Sequence, residues 1–143
     1  MFMTGPLMQN VAFYGYKQAT TNSTGTLQST VYDMTGWEGI VALAGRQTTD
    51  ADTSSKLFFQ TGTASGALSD VTGQQRIALT NIFLEMYRPQ KQFVQVNFKT
   101  TASGADTQDL KVLLYGKKNI PTTQPASTTG KILYSPGSGT ASG

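Results

Sequence analysis

The chain has 143 residues, of which 38% are hydrophobic and only 13% charged, and it contains neither cysteine nor histidine. That length suits one domain that buries roughly 68–70% of its extended surface without disulfides or a structural metal. The missing residue types exclude thiol nucleophiles, iron–sulfur and zinc-thiolate centres, histidine-dependent triads and the usual general base near neutral pH. An enzyme would have to work with eight carboxylates, Lys, Arg and Tyr, so the composition points away from catalysis and calls for no cofactor. The charged share is about half the ordinary ~25%, yet the chain is 10% aromatic, unlike a disordered sequence. Surfaces built from Thr, Ser, Gln and Gly suit packed assemblies, because they can be covered by a neighbour without stranding a charge.

Taken in chain order, the segments read as short strands separated by turn chemistry, with no convincing amphipathic helix. Val11 to Tyr16 is aromatic-rich, with Phe13, Tyr14 and Tyr16 falling on both faces. Leu27 to Met34 alternates Leu27, Ser29, Val31 and Asp33 against Gln28, Thr30 and Tyr32, and Gly36 follows it. Ile40 to Ala44 is a nearly continuous apolar run, which predicts a strand buried on both faces. Lys56 to Thr61 reads as a further strand, and Ser69 to Gly73 as a short extended segment. Arg76 to Leu79 and Ile82 to Tyr87 come next, with Glu85 placed on the polar side of its strand. Phe93 to Lys99 sets Val94, Val96 and Phe98 against Gln95 and Asn97, the clearest alternation in the chain. Leu110 to Tyr115 sets Leu110, Val112 and Leu114 opposite Lys111, Leu113 and Tyr115. About seven short strands between Leu27 and Tyr115, spaced by roughly 10–15 residues, predict an all-β antiparallel sandwich, jelly-roll-like in class.

From Gly116 the composition changes to Thr, Ser and Gly with Pro121, Pro125 and Pro136, a mixture that cannot sustain central-strand pairing. Pro121 to Gly143 could span up to roughly 75 Å at ~3.3 Å per residue, against a radius of gyration near ~14 Å for a body of this size. The expected organisation is an N-terminal strand and polar segment (1–26), a sandwich body (27–118) and an extended C-terminal arm (119–143). The arm is expected to lie on a neighbouring subunit, with Ile132, Leu133 and Tyr134 as apolar anchors and strand addition as the mode of contact.

The formal charge of +3 is uneven: residues 1–84 hold four Lys/Arg against five Asp/Glu (−1), and residues 85–143 hold seven against three (+4). The basic half is the candidate contact face. Only Arg88 with Lys91 and Lys117 with Lys118 cluster, too sparsely for the basic, aromatic-interleaved faces of nucleic-acid readers. No apolar stretch approaches the ~20 residues of a membrane span, and Met1 to Pro6 lacks the basic and apolar regions of a signal peptide. Neither nucleic acid, membrane nor a small-molecule substrate is expected as a partner.

Three constellations have a chemical reading beside a plainer one. Asp50-Ala51-Asp52-Thr53 alternates oxygen ligands but lacks the turn glycine and the terminal bidentate glutamate of a calcium loop, so a solvated loop is expected. Glu38 and Glu85 have the residue types of a glycosidase pair, though a solvated face suits them better. Trp37, flanked by Gly36 and Gly39, could stack a sugar but is more simply a core anchor.

The segment Val31-Tyr32-Asp33-Met34-Thr35-Gly36-Trp37-Glu38-Gly39-Ile40-Val41 resembles the Asp-x-x-Gly-aromatic-Glu-x-Val/Ile stretch of small virion proteins encoded near the major capsid gene of tailed bacteriophages. Similar stretches follow in the same order: Lys56 to Gln60 with Ser69 to Gly73, then Glu85-Met86-Tyr87-Arg88-Pro89-Gln90-Lys91-Gln92-Phe93-Val94-Gln95-Val96, and Leu113 to Lys118 with Ser135 to Ala141. The likeness covers about residues 27 to 141, and departs from the pattern where Gln92 and Gln95 replace basic positions. What it implies is a capsid decoration (cement) protein on the outer surface of the virion head, with the major capsid protein as partner and a homotrimer as assembly. Arg88 and Lys91 are then expected to set register on the coat, beside the Ile132–Tyr134 anchors. A tail or connector component and a glycan-binding sandwich displayed on the virion are the alternatives.

Overall fold

The computed structural model describes residues 7–21, 25–48, 56–72, 76–77, 81–100, 106–117 and 125. Among these residues a four-residue helical turn, α1 (Leu7–Asn10), leads into nine strands: β1 (Val11–Thr21), β2 (Gly25–Asp33), β3 (Gly39–Thr48), β4 (Lys56–Ala64), β5 (Ala67–Asp70), β6 (Arg76–Ile77), β7 (Asn81–Tyr87), β8 (Phe93–Thr100) and β9 (Asp106–Tyr115). They form two antiparallel sheets, ordered β1-β9-β3-β7 and β2-β8-β4-β5, with β6 adding to β4 at Lys56 and Leu57.

That order has a simple origin. The chain pairs as one long nested hairpin, β4 with β5, β3 with β7, β2 with β8 and β1 with β9. Successive rungs of the hairpin fall alternately into the two sheets, and β3–β9 and β4–β8 pairings stitch each sheet together. This winding is the jelly roll, so the all-β sandwich is the fold. The body begins with β1, not at residue 27, because β1 pairs with β9 along its whole length. The arm expected over 119–143 lies outside the described residues, apart from Pro125.

The core is where the two inward faces meet. Leu57 and Phe59 of β4 and Val94, Val96 and Phe98 of β8 are buried against Ile40 and Ala42 of β3 and Leu110, Val112 and Leu114 of β9. Each large side chain so buried contributes about 1.5–3 kcal/mol relative to exposure. The inward sets of β8 and β9 are those the alternation predicts.

Two strands depart from simple alternation. In β2 the register steps from Gln28↔Asn97 to Val31↔Gln95, so Ser29 and Thr30 together oppose Val96. This β-bulge turns the inward set from odd (Leu27, Ser29) to even (Tyr32, Met34) positions, which the uninterrupted alternation read from sequence does not anticipate. The Ser29 hydroxyl satisfies the interrupted ladder by accepting the Val96 N–H at 2.9 Å while donating to the Thr30 carbonyl at 2.7 Å. In β1 the step lies between Tyr14 and Tyr16. Tyr14 turns inward there, edge-on to Tyr32 at 5.1 Å between ring centroids.

The outer faces differ. On the β2-β8-β4-β5 sheet, amides form a ladder: the Gln28 side chain donates to Asn97 (2.7 Å), Asn97 to Gln60 (3.1 Å) and Gln60 to Asp70 (2.7 Å). The other sheet carries apolar residues on its outer face, Val41, Leu43, Phe83 and Leu113 among the described ones, beside Glu85, Asp109 and Lys111. Ile40 to Ala44 is therefore not buried on both faces: Ile40, Ala42 and Ala44 point into the core, Val41 is half-buried and Leu43 is exposed.

Candidate docking surface

One end of the sandwich collects the β2–β3 turn (34–38), the β7–β8 loop (88–92) and the exit from β9 at Gly116 and Lys117. Backbone bonds knit these pieces together. The amides of Met34, Arg88 and Glu38 donate to the carbonyls of Gln92 (2.8 Å), Glu38 (2.8 Å) and Tyr115 (3.0 Å) respectively.

The sequence dictates the β2–β3 turn. Asp33 accepts from the Thr35 amide (2.9 Å), the Thr35 hydroxyl (2.7 Å) and the Gln92 amide (3.2 Å), closing an Asx turn. Its carboxyl is held below the ordinary aspartate range, first by the Thr35 side chain, then by the Thr35 backbone and Gln92. The Trp37 amide bonds back to the Met34 carbonyl at 2.9 Å with Gly36 at φ 83°, the left-handed position a type II turn needs there. Gly39 follows with its α-carbon against the Tyr115 ring, where a Cβ would collide.

The loop opens at Arg88, a non-glycine residue at φ 50°. Such a conformation costs about 1–2 kcal/mol and is fixed by the bond to the Glu38 carbonyl. It carries the guanidinium over the Tyr87 ring, 5.0 Å from the centroid, and to 3.6 Å from the Glu38 carboxylate. The Arg88 side chain is 72% exposed, so the ion pair is a positioning contact worth at most about 1 kcal/mol. The Tyr87 hydroxyl donates to Glu38 at 2.9 Å, and that bond chiefly holds the phenol above its ordinary range. Arg88, Pro89, Gln90 and Lys91 form a ridge between two open recesses. One, of ≈ 320 Å³, is completed by Thr61, Val71, Met86 and Tyr87, and the other, of ≈ 390 Å³, by Met34, Thr35, Trp37 and Gln92.

Arg88 and Lys91 are thus brought together on the ridge, both exposed. Ile132, Leu133 and Tyr134 lie outside the described residues, as do Asp50 to Thr53 and Lys118. Trp37 is half-buried against the core, and Lys117 Nζ sits 5.2 Å from its ring centroid, so one indole face is already occupied. Glu38 and Glu85 are each engaged by a tyrosine, Glu38 by Tyr87 and Glu85 by Tyr115. Burial first, and then Glu85 and Glu38, push the Tyr115 phenol up to about 12.

Sequence reasoning missed the surroundings of Glu85. Phe83 (60% exposed) and Tyr87 (53%) flank it on the outer side of β7, so that side is not polar. The signal was present in Ile82 to Tyr87, where apolar residues occupy both alternating sets.

No protein-family model matches the chain, and no curated protein matches it.

Proposed function

We propose that this chain is a structural virion protein that decorates the outside of a tailed-phage head and stabilises it by bridging copies of the major capsid protein, three copies meeting at a three-fold position. The observation that carries the reading is the cationic ridge Arg88–Lys91, locked by backbone bonds at the same end of the jelly roll from which the C-terminal segment departs after Lys117. A rigid ridge with a recess on either side suits docking onto a surface, and it costs little ordering entropy on contact. The resemblance of residues 27 to 141 to virion proteins encoded beside capsid genes supplies the partner.

The mechanism is mass action. A protein that binds only the assembled lattice stabilises it by its binding free energy. The ridge and the arm together raise effective concentration, so two modest contacts give firm attachment. The arm adds a strand to a coat-subunit edge, with Ile132, Leu133 and Tyr134 in pockets beside it. The glycan-binding alternative is the weaker reading because Lys117 occupies one face of the Trp37 indole.

Removal of residues 121–143 tests the arm. The truncated chain is expected to remain folded, since β9 ends at Tyr115, and to lose most of its occupancy on mature heads of the phage whose capsid gene neighbours its own. Undiminished occupancy, read by densitometry of purified particles, would refute the arm's role.

A further inference from the structure

Arg88 and Lys91 line both recesses beside the 88–92 loop, and among the described residues no acid lines either one. The acids described around this end are already engaged. Asp33 accepts from Thr35 and Gln92, Glu38 from Tyr87 and Asp70 from Gln60, while Glu85 is held by Tyr115. The bases keep donors to spare. The Arg88 guanidinium has five N–H groups and, among the described residues, two partners, Glu38 at 3.6 Å and the Tyr87 side chain. Lys91 is exposed, and no described residue accepts from its ammonium group. Exposure separates the signs further, since the Glu38 side chain is 14% exposed and that of Arg88 72%. A third cation, Lys117, stands over Trp37, which lines the second recess.

We infer that the ridge is a receptor for carboxylates: an acidic segment of the coat protein lies across it, an Asp or Glu against Arg88 and Lys91 and the neighbouring apolar side chains in the recesses. The inference rests on the coat-binding reading and names the chemistry of its partner. Charge complementarity selects the occupant. A carboxylate finds unspent N–H donors and walls with no competing acid, and its bonds to Arg and Lys are roughly twice as strong as neutral ones. The apolar part of the lining decides between kinds of anion. Val71, Met86 and Tyr87 in the first recess and Met34 and Trp37 in the second suit the side chains of a protein. A sugar–phosphate backbone would leave them uncovered, and three cations beside engaged acids are too few to track its charge.

A water-soluble carbodiimide tests the contact, because it joins a lysine amine to a carboxylate only where the two touch. The wild-type chain bound to phage heads is expected to yield an amide between Lys91 and an Asp or Glu of the coat, read by mass spectrometry of the digested particles. Lys91→Glu is expected to weaken binding to heads about tenfold or more at ~0.1 M salt, and Lys91→Arg to preserve it. The difference is expected to shrink towards ~1 M salt, where the screening length falls from ~10 Å to ~3 Å. Near-UV circular dichroism checks that each variant is folded, and the wild-type cross-link decides the matter should one not fold. Heads that carry the chain with Lys91 unlinked, or a Lys91→Glu chain that binds like wild type, would overturn this inference and leave coat binding standing. A chain that never binds heads would overturn both. A labelled DNA duplex that binds the wild type at ~0.15 M salt but not Lys91→Glu would assign the ridge to phosphates, and so overturn the inference too.

Discussion

Arg88 does two things that a single substitution separates. Its left-handed backbone is strained, and its side chain supplies the exposed cation of the ridge. Replacement by glycine relieves a cost of about 1 kcal/mol or more and gives up an exposed pair worth at most about 1 kcal/mol. Arg88→Gly is therefore expected to unfold in urea within about 1 kcal/mol of wild type, yet to occupy phage heads less. A large loss of stability would show that the guanidinium is a structural clamp rather than a docking group. Tyr115 gives a second test at this scale. Its phenol titrates near 12 in the folded chain and near 10 when unfolded, so the native state holds a proton that the unfolded state has released. That contribution to stability is complete below pH 10 and is lost as pH rises from 10 through 12. Ultraviolet titration is expected to show a tyrosine ionising about two units late, and Glu85→Gln, which removes the nearby negative charge, to bring it earlier. Asp33 has the opposite sign. Its depressed carboxyl favours the fold above the ordinary aspartate range, and that support is lost as pH falls through its folded value.

At the scale of the element, the alternation of Phe93–Lys99 and Leu110–Tyr115 was legible because both strands keep one phase from end to end and lie centrally in their sheets. β2 was not, because the Ser29–Thr30 bulge changes phase halfway, and no local residue preference announces it. The bulge makes an asymmetric prediction. Without Thr30, Ser29 faces Val96 directly while Gln28↔Asn97 and Val31↔Gln95 remain, so both inward sets survive. Deletion of Thr30 is expected to leave a cooperatively folded chain, whereas deletion of Gln95 moves one flank of β8 to the wrong face and is expected to abolish cooperative unfolding followed by Trp37 fluorescence. Equal tolerance of the two deletions would mean that β8 does not set the register. β3 and β7 were misread for a different reason. An apolar run with both faces hydrophobic looks the same whether its second face is buried within the chain or exposed, and Leu43 and Phe83 are exposed.

For the molecule as a whole, the nested pairing explains why strand content could be read while strand order could not: every rung outside the innermost β4–β5 hairpin joins residues far apart in sequence, and alternation says nothing of partners. The ridge was legible in part, since Arg88 and Lys91 stood out as a cluster, but Glu38, which with Tyr87 positions it, is brought there only by the fold. The same winding leaves two unlike surfaces, a basic ridge at one end and a largely apolar sheet face along one side. The most direct test is a reconstruction of the whole virion. The account predicts density for the jelly roll on the outer surface of the head, its Arg88–Lys91 end toward the shell and in contact with more than one coat subunit. Density confined to the tail or connector, or a mature particle that lacks the chain, would contradict it.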